Sequence, residues 1–269
     1  MKTLYKGELR FVTPAFLSGA DQNKPEIRVP SIRGELRWWF RAAGGSAEDE
    51  AEIFGGVHGD AVSSAVVIRV SEVKLKMQPE IKPRPMSDKS YLYYFAQVSG
   101  NDHGVKRTQT GHFIGVGSTF VLTVMSRREL PSEKMSMLKD SLGLFLRYGA
   151  LGLRSTRGCG AFTAENAPEV SERVLGKFVI GRVVEGDFAS GESCQEKLGG
   201  FLRALRKENH LSGKRQSALG YSNGNTRASS ALKLRPIETA DGRFAAYVVY
   251  TDAGCREGSL SELIAGKLI

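Results

Sequence analysis

The chain has 269 residues, of which 41% are hydrophobic and 25% charged, a balance typical of globular proteins and unlike that of disordered ones. Its 38 Lys and Arg residues exceed its 29 Asp and Glu residues, and the resulting net charge of +9 favours a polyanionic partner such as nucleic acid. Apolar runs are too short to span a membrane and the three cysteines are too far apart for a disulfide framework, so we expect a cytoplasmic protein.

Strands and helices alternate in the first part of the chain. Residues 2–12 are typical of an opening strand, and apolar residues at helical spacing predict a helix over 31–43 with Ser31 as its N-cap. The further elements predicted here are a short helix over 48–54, strands over 65–75, 91–98 and 119–125, a helix over 133–146, and an extended stretch over 161–163.

The last hundred residues repeat the same kinds of element. They are a strand over 178–184, a helix opened by a capping box of Ser193 and Glu196, strands over 232–237 and 244–251, and a helix that begins at Ser259. Few strands alternate with few helices in each half, which indicates an α+β fold of two packed units rather than one doubly wound sheet. We place the domains at 1–165 and 166–269.

The helix over 31–43 carries three arginines on one flank, here called the arginine ridge: Arg33, Arg37 and Arg41. At about 100° per residue they lie side by side, and like charges at this spacing repel. Glu35 falls on the opposite flank, where it cannot neutralise the ridge, and we expect the acidic run 48–50 to be a solvated turn. The ridge is therefore a candidate RNA-phosphate contact; the alternative is a basic face paired with acids elsewhere in the fold.

A second candidate is the glycine turn, residues 149–160, which combines four glycines with two arginines. Glycine allows positive φ and a close approach to a ligand, and backbone amides, hydroxyls and guanidinium groups all contact phosphates. It is no Walker A loop, since no Lys-Ser/Thr pair closes it, and the alternative is an ordinary turn. The residues predicted to bind phosphate are Gly152, Arg154, Ser155, Thr156, Arg157, Gly158 and Gly160.

Other basic residues in polar loops fit RNA contact less specifically. Trp38 lies away from both faces of its helix, so it either packs on another element or supplies a stacking surface. Basic groups interleaved with aromatic ones are typical of single-stranded RNA recognition. The basic positions in question are Lys106, Arg107, Lys214, Arg215 and Arg227.

Three segments together resemble the RAMP superfamily of CRISPR proteins: Arg37 to Ala42, Glu52 to Gly55, and the Gly-Leu-Arg-Ser-x-Arg-Gly-x-Gly-x-Phe stretch over 152–162. The first two fit best with the family of subunit one of the type III-B, or Cmr, effector complex. The stretch 226–230 is similar to an Arg-Ala-Ser-Pro segment of that family, with Ser230 in place of the proline.

The resemblance implies two ferredoxin-like, RRM-related domains packed together, with the glycine turn on the RNA-facing side. It also implies a non-catalytic subunit in antiviral defence that contacts the 3′ part of the guide RNA and the target RNA paired with it. Its protein partners would be other RAMP subunits of the effector complex. No cofactor, metal ion or membrane is expected.

Two alternatives remain open. Related RAMP proteins that process CRISPR transcripts cleave RNA without metal, typically with a histidine as general acid or base, so a stand-alone endoribonuclease is one of them. His112 is then the best catalytic candidate, because basic and glycine-rich neighbours surround it. The other three histidines are His58, His103 and His210. The second alternative is a basic scaffold that touches only protein partners.

Overall fold

A computed structural model describes residues 1–21, 24–56, 61–78, 92–93, 113–208, 219–223, 226–228, 230–251, 260–264 and 266–269. Over 221–223 and 226–228 it describes the backbone alone. The predicted α+β class is confirmed, because the strands form antiparallel sheets and the helices lie in layers against them. Among the described residues, no helix has the length and apolar character that crossing a bilayer would require.

The described residues up to position 164 fold around a four-stranded antiparallel sheet. Their elements are β1 (Lys2–Phe11), α1 (Val29–Ala42), α2 (Ala47–Phe54), β2 (Val66–Lys74), β3 (Met77–Gln78), β4 (Phe113–Ile114), β5 (Thr119–Ser126), α3 (Ser132–Tyr148) and β6 (Phe162–Ala164). The strand order in this sheet is β2-β5-β1-β6. With α2 and the β3-β4 ribbon set aside, the connectivity is the β-α-β-β-α-β of a ferredoxin-like fold.

One face of this sheet and the apolar stripes of α1 and α3 form the first core. Strand side chains alternate between faces, so Leu9, Phe120 and Leu122 all point to the helices and are fully buried. The buried side chains of α1 are those predicted from its helical spacing: Ile32, Leu36, Trp39 and Phe40.

The rest of the chain builds a three-stranded antiparallel sheet covered by one long helix. Its elements are α4 (Glu172–Leu175), β7 (Val179–Arg182), α5 (Gly191–Glu208), β8 (Tyr221–Asn223), β9 (Thr226–Ala228), β10 (Lys233–Glu238), β11 (Phe244–Tyr250) and α6 (Leu260–Ile264). The order is β10-β11-β7, and Leu198 and Leu202 of α5 pack in one core with Val248. Beside β7, where a ferredoxin-like fold has its fourth strand, Ile269 N donates a 2.8 Å hydrogen bond to Arg182 O.

The two sheets are joined through the helices of the first half. Val249 of β11 belongs to the core around α1 and α3, and the Trp39 and Phe178 ring centroids lie 5.7 Å apart. At the sheet edge, the Arg10 guanidinium donates hydrogen bonds of 2.7 and 2.8 Å to the Glu238 carboxylate. The layers therefore run from the first sheet to α1 and α3, then to the second sheet, and finally to α5.

Two helix starts differ from the sequence prediction. Helix α1 begins at Val29, before the predicted cap Ser31, because Pro30 fits the first turn of a helix, where its missing N–H has no partner to lose. At the start of α5 the Ser193 N–H donates a 3.1 Å hydrogen bond to the Ser190 hydroxyl. The capping serine thus lies three residues before the predicted one.

The strand predicted over 91–98 is wrong at the two positions that the structure describes, because Leu92 and Tyr93 are helical and buried. The remainder of 91–98 lies outside the described residues. The domain boundary near Asn166 stays a prediction; β6 is the last strand of the first sheet and β7 the first strand of the second.

Candidate nucleic-acid interface

The arginine ridge contacts α2. Arg41 Nη1 donates hydrogen bonds of 2.6 and 2.7 Å to the two carboxylate oxygens of Glu50, and Arg37 Nε donates to the same carboxylate. Arg33 Nη1 donates a 3.2 Å hydrogen bond to the Phe54 carbonyl. Arg37 and Arg41 are thus paired with an acid elsewhere in the fold, the alternative given for the ridge, and helix spacing within α1 does not reveal an acid on the next helix.

Glu50 is a buried acid, although the run 48–50 was expected to be a solvated turn. The run forms the first turn of α2, whose N-cap Ser46 accepts a 3.0 Å hydrogen bond from the Asp49 N–H, and Glu50 is only 4% exposed. Burial raises the pKa of Glu50, but the hydrogen bonds from Arg41 and Arg37 outweigh burial and leave the pKa below its ordinary value. The ionised carboxylate thus offsets one of the three positive charges of the ridge within the fold, and RNA contact through the ridge stays a prediction.

Trp38 packs on another element, the first of the two roles expected for it. Its ring meets Trp39 edge to face, with centroids 4.9 Å apart, and the Lys233 Nζ of β10 lies 3.7 Å from its centroid. Lys233 is 4% exposed, so a buried ammonium covers one face of the indole. An RNA-stacking role for Trp38 stays a prediction and would be confined to the remaining surface of the ring.

Replacing Lys233 with methionine is expected to make the free energy of unfolding depend less on pH above neutrality. Burial and the neighbouring Arg235 lower the pKa of Lys233 from 10.5 to about 8, against a smaller opposing effect of Glu35. Between pH 8 and 10.5 the unfolded state therefore binds more protons at this residue, and its contribution to stability rises with pH. Urea denaturation across this window measures the effect as the difference between wild type and Lys233→Met; parallel curves would rule it out.

The glycine turn has the left-handed backbone that its glycines predict. Gly152, Gly158 and Gly160 have φ angles of +97°, +77° and +65°. A Cβ at position 160 would lie 1.9 Å from the Leu151 carbonyl oxygen, so only glycine fits there. Arg154 also has a positive φ, +60°, which non-glycine residues adopt rarely.

Side chains from both halves of the chain hold this turn from inside. The Thr13 hydroxyl donates a 2.6 Å hydrogen bond to the Gly158 carbonyl and accepts one of 2.9 Å from the Ala161 N–H. From α5, Gln195 Nε2 donates a 3.1 Å hydrogen bond to the Arg157 carbonyl. The carbonyls of Gly158 and Arg157 and the N–H of Ala161 are therefore already hydrogen-bonded within the fold.

The guanidinium groups of Arg235 and Arg157 also hold the glycine turn in place. Arg235 of β10, 1% exposed, donates a 2.6 Å hydrogen bond to the Ser155 carbonyl and another to the Tyr148 carbonyl at the end of α3. Arg157 is also buried, and its Nη2 donates a 2.7 Å hydrogen bond to the Leu219 carbonyl. This corrects the expectation that both arginines of the turn face a ligand.

The outward part of the turn is the stretch 152–156, here called the turn tip. Leu153 and Arg154 are exposed, and the other three residues are partly exposed. Gly158 and Gly160, also predicted to meet phosphate, are buried. The turn tip thus contains one exposed arginine and two partly exposed residues with hydroxyl groups.

Several predicted site residues lie outside the described part of the chain: Lys106, Arg107, Lys214, Arg215 and all four histidines, His112 included. Arg227 lies on β9, of which the structure describes only the backbone. Among the described residues, no cluster of three or more His, Cys, Asp or Glu side chains has an arrangement that could hold a metal ion.

Sequence reasoning missed the residues that support the candidate surfaces. Glu50 had a usable signal, because Ser46 and Asp49 mark the start of a helix that follows α1 closely. Thr13, Gln195 and Arg235 had none, because each acts on a segment far away along the chain.

Comparisons with known proteins agree with this geometry. The family model of the RAMP superfamily matches residues 8–163. Over 145 residues the chain is 32% identical to the CRISPR system Cmr subunit Cmr1-1 of Pyrococcus furiosus, which covers 51% of this chain but only 40% of that protein's length. Over 186 residues it is 27% identical to Cmr1-2 of the same organism, covering 61% of this chain and 96% of that protein.

Solved structures show the same fold. The crystal structure of apo Cmr1 from Pyrococcus furiosus matches with a TM-score of 0.60 and 21% identity, over 91% of this chain and 87% of that one. A chain of the type III-B Cmr-beta complex, solved with cognate target RNA and AMPPnP in the presence of ssDNA, matches with a TM-score of 0.57 and 12% identity, over 93% of this chain and 94% of that one. The family match spans more than half of the chain and includes the arginine ridge and the glycine turn, so this chain belongs to the RAMP superfamily.

Proposed function

We propose that this chain is a non-catalytic RNA-binding subunit of a type III-B CRISPR (Cmr) effector complex. It contacts the 3′ part of the guide RNA, the target RNA, or both, beside other RAMP subunits. Its contacts are made to phosphates and do not read base identity, as a protein that serves guides of varying sequence requires.

The similarity to Cmr subunits supports the proposal that this chain is part of a Cmr complex. Both Pyrococcus furiosus relatives are Cmr subunits, and the Cmr-beta complex with a similar chain was solved bound to target RNA. The net charge of +9 suits a ribonucleoprotein subunit, since cationic surface supplies most of the sequence-independent affinity for nucleic acid.

The turn tip is the observation that carries the RNA-binding part. Arg154 is exposed on a left-handed backbone next to the half-buried Ser155 and Thr156, while Gln195 and Arg235 hold the backbone beneath them. A guanidinium and hydroxyls on a rigid turn are groups that position a phosphate backbone.

The two described cysteines are not candidate nucleophiles. Burial raises the pKa of both Cys159 and Cys194 to about 12, against weaker opposing effects of nearby groups, so each stays a protonated thiol at neutral pH. A thiol in this state is a poor nucleophile. The endoribonuclease alternative depends on histidines outside the described residues, and no observation on the described ones favours it.

Arg154→Gln is expected to weaken binding of single-stranded RNA equally for unrelated sequences. The change removes one phosphate contact, so the slope of log K against log salt becomes less negative by about 0.7. Filter binding with labelled RNA at several salt concentrations, without metal, measures both the affinity and the slope.

Arg173→Gln is the matched control, because Arg173 is an exposed arginine on a different element, α4. Its slope should equal that of the wild type. Equal salt slopes for Arg154→Gln and Arg173→Gln would show that Arg154 does not contact an RNA phosphate. Site-specific cleavage of the RNA would contradict the non-catalytic role.

A further inference from the structure

We propose that the outward face of the four-stranded sheet is a second phosphate-binding surface, separate from the turn tip, that holds a stretch of RNA backbone. Three cross-strand rows of side chains form this sheet surface. The rows are Arg69, Thr123 and Lys6; Ser71, Val121 and Glu8; and Lys74, Thr119, Arg10 and Thr163. Strand alternation turns these rows away from the core, because the neighbouring residues Leu9, Phe120 and Leu122 are buried against the helices.

Cations occupy the four corners of the part of the sheet surface that lies between β2 and β1. Lys6 and Arg10 lie on β1, and Arg69 and Lys74 lie two strands away on β2. With strands about 4.8 Å apart and a rise of about 3.4 Å per residue, the corners are roughly 10 Å apart across the sheet and 14 Å along β1. Glu8 is the one acid among the ten residues of the three rows.

Ion pairing distinguishes the sheet surface from the arginine ridge. Lys6 and Arg69 are exposed, and neither forms an ion pair with any residue in the described ranges. Arg10 is held by Glu238, which lies on the second sheet. Glu50 therefore offsets part of the charge of Arg37 and Arg41, whereas the described residues supply no ion pair to Lys6, Arg69 or Lys74.

The composition of the sheet surface favours RNA over a protein partner. Four of its ten residues carry hydroxyls, and Lys, Arg, Ser and Thr are the side chains that contact phosphate and sugar oxygens. Protein interface cores are depleted in lysine and enriched in aromatic residues, whereas the only large apolar residue in the rows is Val121. Without an aromatic side chain the surface has no stacking platform, so binding should be independent of sequence.

The double variant Lys6→Ala/Arg69→Ala tests the proposal in the full chain. Both side chains are exposed, so the fold should be unaffected, which thermal denaturation checks. Loss of two phosphate contacts makes the slope of log K against log salt less negative by about 1.4 for single-stranded RNA. The control is Lys139→Ala/Arg173→Ala, which removes the same charge from exposed positions on α3 and α4 and should leave the slope unchanged.

The inference rests on the proposed function for the identity of the polyanion, and the outcomes separate the two. If the wild type retains RNA and the double variant has the slope of the control, the sheet surface is excluded and the proposed function stands. If the wild type retains no RNA, alone or in a reconstituted complex, both fail. An unchanged slope with loss of binding to a neighbouring subunit would overturn the inference in favour of a protein-binding surface.

Discussion

Arg235→Met is expected to lower the free energy of unfolding by about 2–4 kcal/mol, because it removes hydrogen bonds from a buried charged donor, which contribute about 1.5–3 kcal/mol each, but also removes the cost of burying that charge. Arg235 is 1% exposed and donates hydrogen bonds to the carbonyls of Tyr148, Ser155 and Leu234. Methionine has a similar volume but no donors, so the carbonyls of Tyr148 and Leu234 lose this donor, and the Ser155 carbonyl keeps only its 3.2 Å hydrogen bond from the Gly158 N–H. Urea denaturation monitored by tryptophan fluorescence measures the loss.

Two further variants separate geometry from charge at this position. Arg235→Lys keeps the cation but not the planar fork, so it should lose most of the same stability. Arg243→Met, on the exposed hairpin between β10 and β11, should change stability by less than about 0.5 kcal/mol. A tolerated Arg235→Met would mean that Arg235 does not hold the glycine turn to the second half of the chain.

Glu50→Ala is expected to cost about 2–3 kcal/mol, somewhat less than the ~3–5 kcal/mol for a fully buried pair. Removing the carboxylate leaves Arg37 and Arg41 side by side without their shared acid. Their side chains are 35% and 49% exposed, so solvent screens part of the repulsion. Thermal and urea denaturation at neutral pH measure the loss.

Glu48→Ala is the control for Glu50→Ala, because Glu48 is an exposed acid on the same helix. It should change stability by less than about 0.5 kcal/mol. The cost of Glu50→Ala should also shrink at acidic pH: the folded-state pKa of Glu50 is depressed, so its contribution is lost as pH falls through that value. Equal effects of the two variants would show that the arginine ridge does not depend on Glu50.

Local hydrophobic patterns are enough to predict most elements of this fold. The valine- and isoleucine-rich run over 65–75 became β2, and the apolar stripe over 133–146 became α3. These patterns depend only on neighbouring residues, so sequence reveals them. The pairing of β1 with β5 joins segments more than a hundred residues apart, and no local pattern fixes such a register.

The sequence predicts which segments form the candidate site, but not which of their side chains face solvent. The spacing of its glycines predicts the tight backbone of the glycine turn, which the structure has. Arg157 faces inward because its guanidinium donates a hydrogen bond to the carbonyl of Leu219, which lies 62 residues further along the chain. No local pattern predicts which of the two arginines of the turn faces outward. The sequence does not predict the sheet surface for the same reason. Lys6 and Arg69 come into one row only because β1 and β2 both pair with β5.

The most direct measurement is the salt dependence of RNA retention by the purified full-length chain, alone and in a reconstituted Cmr complex, with two single-stranded RNAs of unrelated sequence. The account predicts equal affinity for both RNAs, intact RNA after incubation, and a linear fall of log K with log salt with a slope of about −0.7 per phosphate contacted. No retention at the lowest salt in either form, or retention of one sequence only, would contradict it.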